Sequence, residues 1–178
     1  MKEITTICVF DTNIFLTGID FNVIEGIIYT TSSIVEEVND DRYKDKNRNI
    51  FNKINAAIER KKLKIKIPKK EYIDKIHEVS KRTGDFNALS DADKGLIAIS
   101  LELLEKKSKQ LTLYSNDYSI ENVCSELNIP YSSLYKNGIE SKIIWEIYCP
   151  YCKNIHSAED LNKICEICGS KLRRRPKN

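Results

Sequence analysis

No stretch of this 178-residue chain approaches the roughly 20 consecutive apolar residues that a bilayer-spanning helix needs, so no membrane partner is expected. The N-terminus lacks a charged-then-apolar leader with a small-residue cleavage site, and the expected location is cytoplasmic. Histidine is scarce: His77 falls in a lysine-rich stretch and His156 among the C-terminal cysteines, so neither has the setting of a nucleophile–base pair. Internal repeats and low-complexity segments are absent. Charge of one sign is lacking too, with a formal net charge of +3. Residues 1–145 balance 22 Lys/Arg against 22 Asp/Glu, whereas residues 146–178 hold 7 against 4, so the whole excess lies at the C-terminal end. The length accommodates one ordinary domain of about 140 residues plus one small module.

That module is marked by Cys149, Cys152, Cys165 and Cys168, a C-x2-C-x12-C-x2-C array. Each x2 pair suits a tight turn that aims two thiolates inward, and two such turns supply the four soft ligands of a closed tetrahedral zinc site. Two disulfides are the alternative, disfavoured by the missing leader and by the isolated, apolar setting of Cys8 and Cys124. Four thiolates fill the shell and leave no open position, so the ribbon should bind or dock while catalysis lies elsewhere. Zinc and four sulfurs carry a charge of minus two, which offsets part of the local excess. The tail, with Lys171, Arg173, Arg174, Arg175 and Lys177, reads either as a phosphate-contacting arm or as a solvated terminus.

Upstream, strand and helix patterns alternate. Residues 4–10 form an apolar, β-branched run that ends on Asp11-Thr12-Asn13, the signature of a buried strand and a turn. Residues 27–30 read as a second strand, followed by a helix from Ile34 with Ser33 as its N-cap. Residues 39–49 read as an exposed connection or a frayed helix turn. Ile50, Ile54, Ala57 and Ile58 mark the next helix, and Leu63 to Ile67 alternate with period two as a strand with a lysine-lined face, closed by Pro68. A helix over about 71–82 is terminated by Thr83-Gly84-Asp85, and a well-buried helix capped by Ser90 follows. Residues 111–114 and 129–131 are the last strands, with an amphipathic helix between them. The fold class is α/β, a parallel sheet with helices on both faces.

Asp11 and Asp117 sit where strands end, the edge at which open parallel sheets bind ligands. Glu36 and Asp93 fall in the first turns of helices, so all four acids can converge there, and oxygen-rich clusters suit Mg²⁺ or Mn²⁺. Helix capping is the competing explanation: Ser33-x-x-Glu36 and Ser90-x-x-Asp93 both fit a capping box, and Asp117 suits an N-cap. The short Asp93 side chain suits the reciprocal cap less well than a Glu. Asp11 has the weakest structural explanation, because it follows a fully apolar strand where an unpaired carboxylate is costly.

Val9-Phe10-Asp11-Thr12-Asn13-Ile14-Phe15, residues 32–38, Leu89-Ser90-Asp91-Ala92-Asp93 and Tyr114-Ser115-Asn116-Asp117 resemble, in order, the four acidic motifs of PIN-domain nucleases. The resemblance covers about residues 4–131. Thr83-Gly84-Asp85, the 115–123 stretch and the four-cysteine ribbon narrow it to the archaeal and eukaryotic endoribonucleases that trim the 3′ end of small-subunit ribosomal RNA. It implies a PIN-like sheet over 1–135, a linker over 136–146 and a zinc ribbon with a basic tail over 147–178. It also implies that Asp11, Glu36, Asp93 and Asp117 bind catalytic Mg²⁺ or Mn²⁺, supported by Asn13 and Ser115. Asn116 departs from the pattern, in which a second acid is common. On this reading the substrate is precursor small-subunit rRNA on an assembling ribosomal subunit. Arg60, Lys61, Lys62, Lys64 and Lys66 would line its path with the ribbon's Lys171, Arg173, Arg174 and Arg175, although simple solvation of a sheet edge accounts equally for the lysine strand. A toxin-type PIN ribonuclease acting on tRNA or mRNA, and a non-catalytic RNA-binding scaffold, are the competing readings.

Overall fold

A computed structural model describes residues 6–39, 44–106, 110–133 and 143–177. The element order is β1 (Ile7–Phe10), α1 (Thr12–Leu16), β2 (Ile27–Thr30), α2 (Ser32–Val38), α3 (Lys44–Glu59), β3 (Leu63–Ile65), α4 (Lys70–Thr83), α5 (Asp91–Lys106), β4 (Leu111–Tyr114), α6 (Tyr118–Glu126), β5 (Tyr131–Ser132), β6 (Trp145–Tyr148), β7 (Ile155–His156) and β8 (Arg173–Pro176). Strands β3-β2-β1-β4-β5 form one parallel sheet in that order. This is the expected α/β architecture, a parallel sheet flanked by helices. No helix among the described residues is long and apolar enough to cross a membrane.

The centre of the sheet is apolar because every residue of β1 is buried. Helix α5 closes over it, with Leu96, Ile97, Ala98 and Ile99 in succession fully buried, the signature of a helix packed on more than one side. In α4, Tyr72, Ile76, Val79 and Thr83 repeat at i, i+4, i+7 and i+11 and form its buried stripe. Helix α4 stops at Gly84, whose φ of 78° is a left-handed conformation open to glycine at little cost.

Several local expectations change. Helix α2 is capped by Thr31, whose hydroxyl accepts from Ile34 N, and not by Ser33. The Ser33–Glu36 capping box therefore does not form, because the chain turns helical two residues earlier. Strand β3 spans three residues with Leu63 buried and Lys64 and Ile65 exposed, so its alternation ends early. The expected linker falls largely on residues outside the described ones, and β6 begins at Trp145, within the last two linker positions.

The second sheet is antiparallel, in the order β7-β6-β8. Its β8 is the basic tail, paired along β6 from Trp145–Pro176 to Tyr148–Arg173. The tail is thus an ordered strand, with Arg173 and Arg175 exposed on it. A small core of Ile147, Cys149, Cys165 and Leu172 lies between the strands and the cysteine turns. The ribbon rests on the C-terminal end of α4 and on α6: Lys81 pairs with Glu159 at 2.5 Å, Asn87 donates to Glu159 O, and the Asn122 amide bonds Ile143 N and O.

Candidate active site

Parallel strands place all their C-terminal ends on one edge, and there the chain sets its acids. Asp11 follows β1 directly and caps α1. Its Oδ1 accepts from Thr12 N at 2.6 Å, and its Oδ2 accepts from Asn13 Nδ2 at 2.5 Å and Ser115 Oγ at 2.7 Å. Ser115 follows β4 and also accepts from Asp117 N at 3.0 Å, while Asn13 Oδ1 accepts from Asn116 N at 3.3 Å. Asn13 and Ser115 therefore tie the end of β1 to the end of β4.

Asp93 and Asp117 reach the edge from helix starts. Asp93 and Ser90 make the reciprocal cap in full, Asp93 Oδ2 accepting from Ser90 N at 2.8 Å and Ser90 Oγ from Asp93 N at 3.1 Å. The short side chain thus suits the cap after all. Asp117 caps α6 by accepting from Ser119 N at 2.7 Å. Capping and clustering are compatible, since each cap occupies one oxygen and leaves Oδ1 of Asp93 and Oδ2 of Asp117 without a hydrogen-bond partner among the described residues.

In the second motif Glu36 and Glu37 are both exposed, and it is Glu37 whose contacts lead toward the other acids. Thr12 Oγ1 donates to Glu37 Oε2 at 2.5 Å, and the negative charge of Glu37 is felt at Asp93. Helical geometry explains the choice. Ile34 and Val38 bury one face of α2; at about 100° per residue Glu36 points directly away from that face and Glu37 lies on its flank. A helical wheel drawn on the sequence carries this signal.

Electrostatics mark the edge as deficient in positive charge. Asp11 is 4% exposed, and its carboxyl is pushed up to about 6, first by burial and then by the charges of Asp93 and Asp117, against the downward pull of the Ser115 and Thr12 hydrogen bonds. Asp93 is likewise raised, first by burial, with Asp117 and Glu37 adding to it. Carboxylates that raise one another's affinity for protons have the chemistry of a divalent-cation site, and the open oxygens supply hard ligands. Among the described residues, only the cysteines bring three or more ligand atoms within 4.8 Å of one another.

That cysteine cluster fits zinc. The Cys149–Cys168 and Cys152–Cys165 sulfurs stand 3.3 and 3.6 Å apart, with no disulfide among them. Two alike turns build it: Lys153 N donates to Cys149 O and Gly169 N to Cys165 O, with φ of 67° at Lys153 and 73° at Gly169. Hydrogen bonds from Ser170 lower the Cys168 thiol, while Cys152, against a hydrogen bond from Asn154, is raised by burial and by the neighbouring sulfurs, so the four sulfurs share their protons unevenly when no cation lies between them.

The expected RNA-path residues divide. Arg60, Lys61 and Lys62 lead into the N-terminal end of β3, the opposite edge of the sheet from the acids. The Lys62 ammonium is also engaged by the carbonyls of Ile24 and Gly26. Lys64 is exposed, and Lys66, at the acid edge, pairs with the buried Glu102 at 3.1 Å. In the ribbon, Lys171 and Arg173 are exposed. Arg175 instead pairs with Glu146 at 2.6 Å and stacks on Tyr148, and Arg174 bonds the buried Asp85 at 2.9 Å.

Comparison with known proteins agrees with this architecture. Residues 8–103 match the family described as the PIN domain of ribonuclease. The chain is 35% identical to Endoribonuclease Nob1 of Methanocaldococcus jannaschii over 94% of its own length and 76% of that protein. It is 31% identical to Endoribonuclease Nob1 of Pyrococcus abyssi over 95% and 93%, respectively. It is also 29% identical to Ribonuclease VapC1 of Thermoplasma acidophilum over 94% and 77%. With a matching PIN domain over more than half its length and relatives above 30% identity that span both sheets, the chain belongs to the Nob1 endoribonucleases of the PIN-domain family.

Proposed function

We propose that this endoribonuclease cuts precursor small-subunit rRNA at its 3′ end in a divalent-metal-dependent hydrolysis, with Asp11, Glu37, Asp93 and Asp117 as the ion-holding acids. The observation that supports this reading is the placing of these carboxylates along one sheet edge, with Asp11 held by three donors and its carboxyl raised first by burial and further by Asp93 and Asp117. Bound Mg²⁺ or Mn²⁺ would supply a water activated for in-line attack and charge stabilisation at the leaving 3′ oxygen. The protein's part is positional. Asn13 and Ser115 fix the Asp11 carboxylate, Ser90 and Ser119 orient Asp93 and Asp117 through their backbone N–H groups, and Thr12 orients Glu37. With no histidine beside these acids, they act as ligands rather than as an acid–base pair.

The placement of Glu37 yields a paired test. Glu37→Gln should weaken Mn²⁺ binding about 10–100-fold, whereas Glu36→Gln should change it by less than about twofold; isothermal titration of the two variants reads the difference directly. An equal loss in both would return the second motif's role to Glu36.

A polar cleft of about 530 Å³, lined by Asn87, Ala88, Leu161, Asn162, Lys171, Leu172, Arg173 and Arg174, opens between the ribbon and the turn leading to α5. We assign the RNA backbone to it, with Lys171 and Arg173 as phosphate contacts, an arrangement in which affinity falls as salt rises. The similarity to Ribonuclease VapC1 fits a second reading, a toxin-type PIN ribonuclease, for which we take tRNA or mRNA as the substrate to test. The deciding experiment incubates the protein with a fragment spanning the 3′ end of precursor small-subunit rRNA, and separately with tRNA and mRNA, in Mn²⁺ or in chelator. Single-site cleavage of the precursor that disappears with chelator is the expected result. Preferential cutting of tRNA or mRNA would favour the second reading, and undiminished cutting in chelator would overturn the metal-dependent mechanism.

A further inference from the structure

The contact between ribbon and nuclease sheet centres on a carboxylate that has no part in the chemistry above. Asp85 follows Gly84 and is fully buried. Its Oδ1 accepts from Arg174 Nη1 at 2.9 Å and its Oδ2 from Asn122 Nδ2 at 2.7 Å. The Arg174 guanidinium stacks on Trp145, 4.5 Å from the ring centroid, and both its terminal nitrogens lie 3.4 Å from Ser119 Oγ. Gly84 seats Trp145 tightly, since a Cβ there would stand 2.3 Å from the Trp145 carbonyl oxygen.

Each anchor leads by a short covalent and hydrogen-bonded path to an acid of the site. The Asp85 carbonyl accepts from Ala88 N and Leu89 N, forming the turn that delivers Ser90 and its capping partner Asp93. Ser119, touched by Arg174 through its hydroxyl, donates its backbone N–H to Asp117. Asn122, the other partner of Asp85, lies one turn further along the same helix as Ser119. One ribbon side chain thus bridges the segment carrying Asp93 and the helix carrying Asp117.

We propose that Arg174 is a positioning residue of the nuclease site, holding the turn before Asp93 in register with the helix of Asp117, so that the acid cluster is complete only while the zinc ribbon is folded and docked. The inference rests on the reading of Asp93 and Asp117 as ion-holding acids. A buried carboxylate stripped of its cationic partner leaves an uncompensated charge, and the turn that carries it must move toward water. The planar, forked guanidinium reaches Asp85 and Ser119 together while stacking on indole, which an ammonium cannot do. Asp85, Ser119 and Trp145 thus engage Arg174 on three sides.

The test uses the full-length zinc-loaded protein and Mn²⁺ alone as the probe. Wild type, Arg174→Lys and Asp85→Asn are compared by calorimetric Mn²⁺ titration without RNA, by zinc content, and by the fluorescence of Trp145, the chain's single tryptophan. Both variants should keep one zinc, shift the Trp145 emission and weaken Mn²⁺ binding about 10-fold or more. In cleavage assays the half-saturating Mn²⁺ concentration should rise while the rate at saturating Mn²⁺ changes little. Removing zinc from the wild type and restoring it should lower and recover Mn²⁺ affinity, a measurement that needs no variant to fold. Unchanged Mn²⁺ affinity in both variants and in zinc-free protein would overturn the proposal, as would a fall in RNA affinity alone. Mn²⁺ binding that depends on Arg174 in a protein that cuts no RNA would support this inference and count against the nuclease reading, so the two fail separately.

Discussion

Asp11→Asn should lower metal-dependent RNA cleavage about 10³-fold, measured as the single-turnover rate at saturating Mn²⁺. Asp11 is the most buried of the acids and the only one held by three donors, so its position is the least adjustable. Removing its charge takes away one anionic ligand, and a loss of about 4 kcal/mol of transition-state stabilisation corresponds to that factor. The same substitution should stabilise the metal-free fold at neutral pH. The Asp11 carboxyl is raised from 3.8 to about 6, so the folded state binds its proton more tightly than the unfolded state does. The stabilisation from that proton is fully present below about pH 4 and is lost as pH rises through about 6. Above pH 7 the difference approaches about 3 kcal/mol, from roughly two pKa units at 1.36 kcal/mol each. In chelator, therefore, wild type should melt below Asp11→Asn at pH 7.5, and the two should converge near pH 4. Added Mn²⁺ should reverse the order at pH 7.5 by binding the wild-type cluster. A variant that still cleaves at the wild-type rate would remove Asp11 from the site.

The second large effect concerns the ribbon. Cys149→Ser should abolish zinc binding and unfold the segment from about residue 145 to the C-terminus, read by zinc content and by loss of the dispersed amide signals of β6 and β8. Ile147 and Leu172 are the only aliphatic side chains among the four buried residues of the ribbon core, and burying two such groups contributes about 3–6 kcal/mol. A core that small does not hold a segment of this length by itself, so the free energy of zinc binding serves as its folding free energy, as in other small structural zinc modules. Strong zinc chelation of the wild type should therefore produce the same collapse, reversed by adding zinc back. A ribbon that keeps its β-signals without metal would contradict the assignment of the cysteines as ligands.

Much of this architecture is legible in the chain itself. The apolar run ending at Phe10, the run at Ile27–Thr30 and Leu111–Tyr114 specify strands because buried parallel strands need apolar residues on both faces. The cysteine spacing specifies the ribbon because only that pairing of tight turns presents four inward sulfurs. Asp11, Asp93 and Asp117 are recognisable as acids at strand ends and helix starts, since both features are local. Local pattern is less decisive where two neighbours share a motif, as in the proposed choice of Glu37 over Glu36. Glu36 and Glu37 are equivalent in spacing from the preceding strand to within one residue, and helical phase alone separates the outward carboxylate from the one at the flank.

What the tertiary structure decided is which groups meet. That the flank of α2 bearing Glu37 faces Thr12 and Asp93 depends on α2 packing beside α1 and α5, a matter of helix docking rather than of period. Lys62 reads as a free cation beside Lys61, yet it satisfies two carbonyls from a segment 36 and 38 residues earlier. Arg174 and Arg175 read as part of an arginine-rich tail, yet one closes over Asp85, 89 residues away, and the other pairs with Glu146 across the strand ladder. Spacing along a chain determines period, turns and metal-ligand geometry, because these are interactions among neighbours. The use of each charge was settled only when distant segments came together, because a buried carboxylate or carbonyl takes whichever cation the packing brings to it.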